Sequence, residues 1–346
     1  MVLNKIEVER FLDLAESFSI ADVRSPSEYN KGHIPAAINI PLFNDKQREA
    51  VGIKYKKAGR IPAIIFGLKH SGPEMSAKLE HALKIARKGK LLVHCWRGGM
   101  RSEAMAWLFS LGDIETEILE GGYKSYRNYI LESLSERRRM IVLGGMTGCS
   151  KTHILRYLKQ KGQQVIDLEG LANHKGSAFG SLGQPTQPTS EHFANMLFDE
   201  WKKLDKNLPL WVEDESKNIG SVFIPDQFYL NMQETPAIII RMDIKTRLPR
   251  LIEEYSTYPA EALKASILKI NKRLGGDNTR DAINAVEAGD FAKAIEITLY
   301  YYDKAYMFGL KKKDSNNIIY VDGITDDVEI NALKILDASC KITWEE

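Results

Sequence analysis

His94-Cys95-Trp96-Arg97-Gly98-Gly99-Met100-Arg101-Ser102 follows the short apolar run Leu91-Leu92-Val93 and precedes a helical pattern at Ala104, Trp107, Leu108 and Leu111. The stretch reads as a buried strand, a glycine-containing loop and a helix start, the local signature of an α/β sheet. In such a turn successive loop N–H groups point inward and the helix dipole adds partial positive charge. Arg97 and Arg101 add full charges. Such surroundings lower a thiol pKa by one to several units from about 8.5, which predicts a reactive thiolate at Cys95 near neutrality. The cup formed by Trp96, Arg97, Gly98, Gly99 and Arg101 suits a tetrahedral or doubly charged group on that sulfur. Most free cysteines are packing residues, yet the arginines and glycines clustered here favour a nucleophile.

The stretch also satisfies the His-Cys-x5-Arg-Ser pattern of tyrosine-phosphatase loops, and the cysteine motif alone does not separate the two chemistries. Upstream, Ala21-Asp22-Val23-Arg24-Ser25-Pro26-Ser27-Glu28-Tyr29 precedes Gly32-His33-Ile34-Pro35-Ala36-Ala37-Ile38-Asn39-Ile40-Pro41. These residues read as strand, turn, short helix, Gly-His turn and second strand. Together with the cysteine loop they resemble the rhodanese family over roughly residues 5 to 130. Ala37 is a small departure from the family's usual residues. The resemblance implies that Cys95 carries a sulfur or selenium atom as a persulfide-type adduct. Asp22 and Arg24 are expected to tie the domain together by hydrogen bonds and ion pairing.

A chain of 346 residues predicts two domains, here expected at 1–135 and 136–346, with the junction in the charged stretch Ser133 to Arg139. Apolar content of 44% and charged content of 27% place the chain with globular proteins rather than disordered or fibrous ones. The formal charge of +2, from 48 basic and 46 acidic residues, excludes a general polycation, so nucleic-acid binding must come from local patches. Arg137-Arg138-Arg139 and Lys311-Lys312-Lys313 are the clusters available. Cys95, Cys149 and Cys340 show neither metal-ligand spacing nor a disulfide framework. With no signal-peptide pattern and no long apolar run, a cytoplasmic location is expected.

A second strand, Met140-Ile141-Val142-Leu143, runs into Gly144-Gly145-Met146-Thr147-Gly148-Cys149-Ser150-Lys151-Thr152 and a helical pattern at Ile154, Leu155 and Leu158. Strand, glycine-rich loop, Lys-Thr and helix are the context that a P-loop requires. Gly145, Met146, Thr147, Gly148, Cys149 and Ser150 would cradle a diphosphate on backbone N–H groups. Lys151 would pair with its oxygens, and Thr152 is a candidate for Mg²⁺. The motif asks for glycine where Ser150 stands. Leu210-Trp211-Val212 ends in Glu213-Asp214-Glu215-Ser216, carboxylates that serve Mg²⁺ or water beside many P-loops and otherwise form a solvated acidic turn. The strand-like Gln164-Val165-Ile166-Asp167 leads into a long polar segment through Gln187, with Asp167 and His174 as candidate substrate contacts. Phe193, Met196, Leu197, Trp201 and Leu204 recur at helical spacing and read as core. Strands are expected at Ala237 to Met242 and Ile318 to Val321, separated by a helical insertion over about 244–308. The tyrosines of that insertion, Tyr300, Tyr301, Tyr302 and Tyr306, are read as packing residues ahead of base-stacking ones.

A rhodanese-type domain followed by a P-loop domain, with Cys95-Trp96-Arg97-Gly98-Gly99-Met100-Arg101-Ser102, closely resembles the tRNA 2-selenouridine synthase family. Further matching strings are Val51-Gly52, Tyr55-Lys56, Gly59, Asp167-Leu168-Glu169-Gly170 onward to Gly180, and Trp211-Val212-Glu213-Asp214-Glu215-Ser216 with Ile219-Gly220. Arg273-Leu274-Gly275-Gly276 and Tyr302-Asp303-x-x-Tyr306 extend the likeness across nearly the whole chain. Cys149-Ser150 departs from it, since the family's P-loop usually reads Ser-Gly. The resemblance implies a transferase that replaces the sulfur of wobble 2-thiouridine in tRNA with selenium from selenophosphate, through an S-geranyl intermediate made from geranyl diphosphate. On that chemistry the Gly145–Thr152 loop is expected to hold the diphosphate and Arg97 and Arg101 to bind selenophosphate, with no tightly bound cofactor and Mg²⁺ as a candidate ion. Arg137 to Arg139 and the 173–187 loop are candidate tRNA contacts. Three other readings stay open: a phosphatase, a plain rhodanese sulfurtransferase, and a non-catalytic tRNA-binding protein with both loops vestigial.

Overall fold

The computed structural model describes residues 4–311, 313 and 317–344. The chain divides into two compact units, Met1–Ser133 with Ala194–Met196, and Leu134–Phe193 with Leu197–Glu346. In the first unit, strands β1 (Asn4–Ile6), β2 (Ser19–Asp22), β3 (Ile38–Asn39), β4 (Lys90–His94) and β5 (Glu115–Leu119) form a parallel sheet in the order β1-β5-β4-β2-β3. Leu91, Leu92 and Val93 of the central strand β4 are fully buried, as a parallel strand covered on both faces requires. The register sets Asp22 beside His94, so the ends of β2 and β4 meet just before the cysteine loop.

The second unit holds β6 (Met140–Gly145), β7 (Gln164–Ile166), β8 (Leu210–Glu213), a short antiparallel pair β9 (Asn218–Ile219) and β10 (Val222–Phe223), β11 (Ala237–Arg241) and β12 (Ile318–Asp322). Its main sheet is parallel, in the order β12-β11-β6-β8-β7, with β6 central. Between β11 and β12 the chain runs through helices 244–255, 260–269, 271–274, 276–287 and 291–310. They pack together around Leu251, Leu263, Ile267, Ala282 and Leu299. The fold is the α/β arrangement expected: a rhodanese-like parallel sheet, then a P-loop-type parallel sheet with a helical insertion.

The helix after the cysteine loop forms over Met100–Ser110, but Trp107 and Leu111 are exposed, whereas Met105, Ala106, Leu108 and Phe109 are buried. The helix carries large apolar residues on more than one face, so a spacing argument could not choose between them.

Asp22 and Arg24 form an ion pair with both side chains wholly buried. The guanidinium donates to both Asp22 carboxylate oxygens, at 3.0 and 2.6 Å, and to the Gly32 carbonyl at 2.7 Å. It also lies 3.7 Å over the Tyr123 ring. Burial pushes the Asp22 carboxyl up, but the His94 and Arg24 charges outweigh it and hold the group below its ordinary value. Burial itself drives the His94 imidazole down to about 4, so at neutral pH the charge facing Asp22 is that of Arg24. The stability linked to Asp22 is therefore present above the ordinary carboxylate pKa and lost as pH falls through the lowered one. Replacing Arg24 by methionine strands a buried carboxylate, with an expected cost of about 3–5 kcal/mol. The check is hydrogen exchange: amides of β2 and β4 lose protection in Arg24→Met, and unchanged protection would refute this role for the pair.

Candidate active sites

Cys95 sits at the C-terminal end of β4, at 3% exposure, with its Sγ 3.4 Å from the Ser102 hydroxyl. The loop returns tightly enough to need glycine. Gly98 has φ of 63°, and a Cβ there would lie 2.4 Å from the Leu119 carbonyl oxygen. Gly99 precedes the helix Met100–Ser110, whose N-terminal turn supplies Ser102. Burial pushes the Cys95 thiol up. The Ser102 hydroxyl, the Arg101 charge and the N–H groups of Arg97 and Ser102 outweigh burial and hold the thiol below its ordinary value.

The two loop arginines differ from the paired anion clamp expected. Arg101 is half-buried and forms a double hydrogen bond to Glu28, at 2.6 and 3.2 Å, so its charge tunes the thiol while its donors are engaged. Arg97 is exposed and pairs with no carboxylate among the described residues. Trp96 is half-buried, its ring 5.8 Å from that of Tyr123. Glu28 was missed as a site residue, although its position three after Ser25 marks a helix capping box, which forms.

Cys95, Trp96, Arg97 and Gly99 border a cavity of about 1050 Å³. Helices 45–58 and 60–71 wall it with Leu42, Phe43, Val51, Ile64 and Leu68 beside them. Its carboxylates are Glu49 and Glu103, and no aspartate lines it among the described residues. The general acid that a phosphatase of the His-Cys-x5-Arg type needs on a separate loop is thus not supplied by an aspartate here.

In the second unit the glycine-rich loop leaves β6 and enters helix Lys151–Gln160. Gly148 has φ of 85°, and a Cβ there would meet Leu251 of the insertion at 2.7 Å. Ser150 also takes a left-handed conformation, φ 66°, which explains why the motif asks for glycine. Its hydroxyl accepts a hydrogen bond from Arg250. Cys149 is wholly buried, and burial pushes its thiol up, so it is a packing residue of the loop. Met146 and Thr147 complete the turn. Arg247 fixes it from the insertion by donating to the Thr147 carbonyl at 2.9 Å and to Asp303 at 3.0 and 2.6 Å.

Lys151 Nζ donates to the Gly145 carbonyl at 2.8 Å. Desolvation pushes its ammonium down, but Cys149, Glu169, Glu215 and Asp214 outweigh it and keep the group charged. Thr152 donates to Glu169 at 3.0 Å. Burial pushes both the Glu169 and Glu215 carboxyls up, and the two lie within hydrogen-bond reach of each other.

The acidic turn after β8 does not act as one group. Glu213 is wholly buried, accepts from the Leu168 N–H at 3.0 Å, and is pushed far up by burial, so it is a structural group. Asp214 is held by Lys313 at 2.6 Å and Tyr306 at 3.1 Å. Only Glu215 joins Glu169 beside Thr152. Asp167 caps the short helix 168–172 through the Gly170 N–H at 2.6 Å. His174 is buried within the 173–187 loop, packed against Gly180 and Gly220, and burial lowers its pKa. Among the described residues no group of three or more His, Cys, Asp or Glu is disposed to hold a metal.

The basic clusters are largely engaged. Arg137 pairs with Glu234, and Arg138 stacks 3.8 Å over Trp201. Lys313 belongs to Asp214, and Lys312 lies outside the described residues. Tyr302 accepts from the Ala178 N–H and Tyr306 donates to Asp214, while Tyr300 is exposed. No helix among the described residues is long and apolar enough to cross a membrane.

Fold and sites together define a rhodanese-like domain joined to a P-loop domain. Residues 7–129 match the rhodanese-like domain, and residues 138–333 match the tRNA 2-selenouridine synthase AAA domain. The chain belongs to the tRNA 2-selenouridine synthase family. It is 37% identical to the tRNA 2-selenouridine synthase of Shewanella sediminis (strain HAW-EB3), over 86% of this chain and 89% of that one. Identity to the synthase of Sulfurovum sp. (strain NBC37-1) is 34%, over 86% and 90%. For that of Bdellovibrio bacteriovorus (strain HD100) it is 32%, over 90% and 94%.

The Cys95 environment predicts a pH profile. Alkylation of Cys95 by iodoacetamide, followed on its own peptide by mass spectrometry, should have its midpoint below that of an ordinary thiol. In Ser102→Ala the midpoint should rise by roughly one unit, the worth of one hydrogen bond to a charged group. An unmoved midpoint would remove Ser102 from the thiol's support.

Proposed function

We propose that this protein is a tRNA-modifying enzyme that converts wobble 2-thiouridine to 2-selenouridine, alkylating the sulfur with geranyl diphosphate and replacing it with selenium from selenophosphate. The observation that carries this reading is the Cys95 loop: a thiol held below its usual pKa at a strand end, with Arg97 free to receive an anion. The carbon–sulfur bond of a thiocarbonyl breaks readily only after alkylation. The chemistry therefore divides into two steps, matching two anion-binding loops in one chain.

In the first step the Gly145–Thr152 loop holds the diphosphate, and the thiocarbonyl sulfur attacks the allylic carbon as diphosphate departs. Lys151 stabilises the charge that develops on the leaving oxygen, an electrostatic role. Hydrolysis of ATP is not needed, so the Ser150 departure is tolerable. Thr152, Glu169 and Glu215 are the oxygen donors that would hold Mg²⁺. Two carboxylates, a hydroxyl and substrate phosphates fit that ion's habits. When bound, it would neutralise diphosphate charge. In the second step the Cys95 loop holds selenophosphate beside uridine C2, its selenium attacks C2, and water afterwards cleaves the P–Se bond to release phosphate. The new C–Se bond forms, the C–S bond breaks, and geranyl thiolate leaves to be protonated by solvent. Cytoplasmic tRNA is the partner this reading requires.

The test is mass spectrometry of nucleosides after incubation with 2-thiouridine tRNA, geranyl diphosphate and selenophosphate. Wild type should yield 2-selenouridine, and Cys95→Ala only the S-geranyl nucleoside. Lys151→Ala should lose at least 100-fold in geranylation, in the range for removing one charge-stabilising donor, yet still convert pre-geranylated tRNA. Steady, tRNA-stimulated ATP turnover would overturn the role given to the P-loop.

A further inference from the structure

The cavity beside Cys95 is mismatched to the small anions that a thiol loop of this kind takes. At about 1050 Å³ it is the size of a pocket for a drug-sized molecule. Its wall is apolar: Leu42, Phe43, Val51, Ile64, Leu68 and Met75. A site for selenophosphate alone would be small and lined with donors. Of its charged lining residues, Arg48, Lys56, Arg60, Arg97 and Arg101 outnumber Glu49 and Glu103. Lys56, Arg60 and Arg97 are exposed, and Glu103 is already paired with Lys5. An apolar interior with a cationic fringe suits a ligand with an apolar arm on a polyanionic body. Cys95 lies on the cavity's border, so the arm must be attached close to the atom that reacts there.

We propose that this cavity is the subsite for the S-alkyl substituent of the modified base, holding the geranyl chain while uridine C2 faces the Cys95 loop. This assignment rests on the function proposed above and adds to it a site in the rhodanese-like unit, apart from the diphosphate loop. Helices 45–58 and 60–71 are then specificity elements that recognise the leaving group. The cations around them meet RNA phosphates, which gives binding a strong salt dependence. Burying the chain raises affinity for the alkylated base over the unalkylated one, which orders the two steps. Geranyl thiol, once expelled, leaves through the open side of the same cavity.

The full-length protein is titrated with tRNA carrying S-geranyl-, S-methyl- or unmodified 2-thiouridine. S-geranyl tRNA should bind on the order of 100-fold more tightly than S-methyl tRNA, a moderate share of what burying so many methylenes can yield. In Ile64→Trp, which fills the cavity, that ratio should collapse while S-methyl tRNA binds as before. Equal affinities of wild type for the two tRNAs would overturn the proposal. Geraniol alone should also slow iodoacetamide alkylation of Cys95 in wild type, with ethanol having no effect; failure of geraniol to protect would likewise overturn it. Neither measurement needs turnover. Tight S-geranyl binding without selenouridine formation would retain the subsite and reject the proposed function, and selenouridine formation without chain-length discrimination would do the reverse.

Discussion

Backbone N–H groups at the C-terminal end of a central parallel strand are the constraint on which both sites depend. β4 is the middle strand of one sheet and β6 the middle strand of the other. In each case the chain must leave a buried strand, turn, and enter a helix whose first N–H groups have no partner within it. Strands on the two sides of β4 and of β6 connect in different directions, which opens a crevice at their ends. An anion or a thiolate placed there meets oriented donors that required no further ordering. Cys95 exploits this with a side chain, and the Gly145–Thr152 loop with a cradle. Gly98 and Gly148 are the points where the turn can be made only without a Cβ.

Most of this architecture was legible because it is local. The apolar runs at 91–93 and 140–143, the glycines after them and the helical patterns beyond fix strand, loop and helix in sequence order. The Asp22–Arg24 pair was readable too, since the partners lie two residues apart at a strand end. What was hidden lies in long-range pairing. Arg101 finds Glu28 across 73 positions, and Arg250 reaches Ser150 across 100. No periodicity encodes such partners. The acidic turn after β8 was misjudged for a related reason. Successive residues on a strand end face opposite ways, so Glu213 is sealed beneath Leu168, Asp214 goes to Lys313, and Glu215 alone joins Glu169. The cavity by Cys95 was invisible because its walls come from helices whose apolar residues remain partly exposed, among them Ile53, Ile65 and Leu68.

The exposed apolar residues of helices 45–58 and 60–71 weigh on the energetics of the first unit. Residues such as Ile53, Ile61, Ile65 and Leu68, left exposed on these helices, contribute little to folding by burial. Such a helix pair suits a site that must admit and release a large apolar group. The rigid part is elsewhere. The Arg24 guanidinium, enclosed by Asp22, Gly32 and Tyr123, locks the strand ends that carry Cys95. Rigidity at the thiol and the apolar wall beside it are thereby assigned to different residues.

The glycine-rich loop of the second unit is surrounded by its own counter-charges. Lys151 is sequestered against the Gly145 carbonyl, with Glu169, Glu215 and Asp214 around it supplying the opposite charge. On the function proposed above, a diphosphate arriving at this loop displaces Lys151 from the Gly145 carbonyl and competes with Glu169, Glu215 and Asp214. Binding energy is then spent on breaking an internal ion cluster, which lowers affinity but releases Lys151 only when a polyanion is present. Arg250, held by the Ser150 hydroxyl at the position where the motif expects glycine, adds a second cation to the loop from the insertion. The serine therefore costs left-handed strain of order 1–3 kcal/mol and in return brings an insertion arginine to the loop. A glycine could relieve the strain but could not offer that hydroxyl to the arginine.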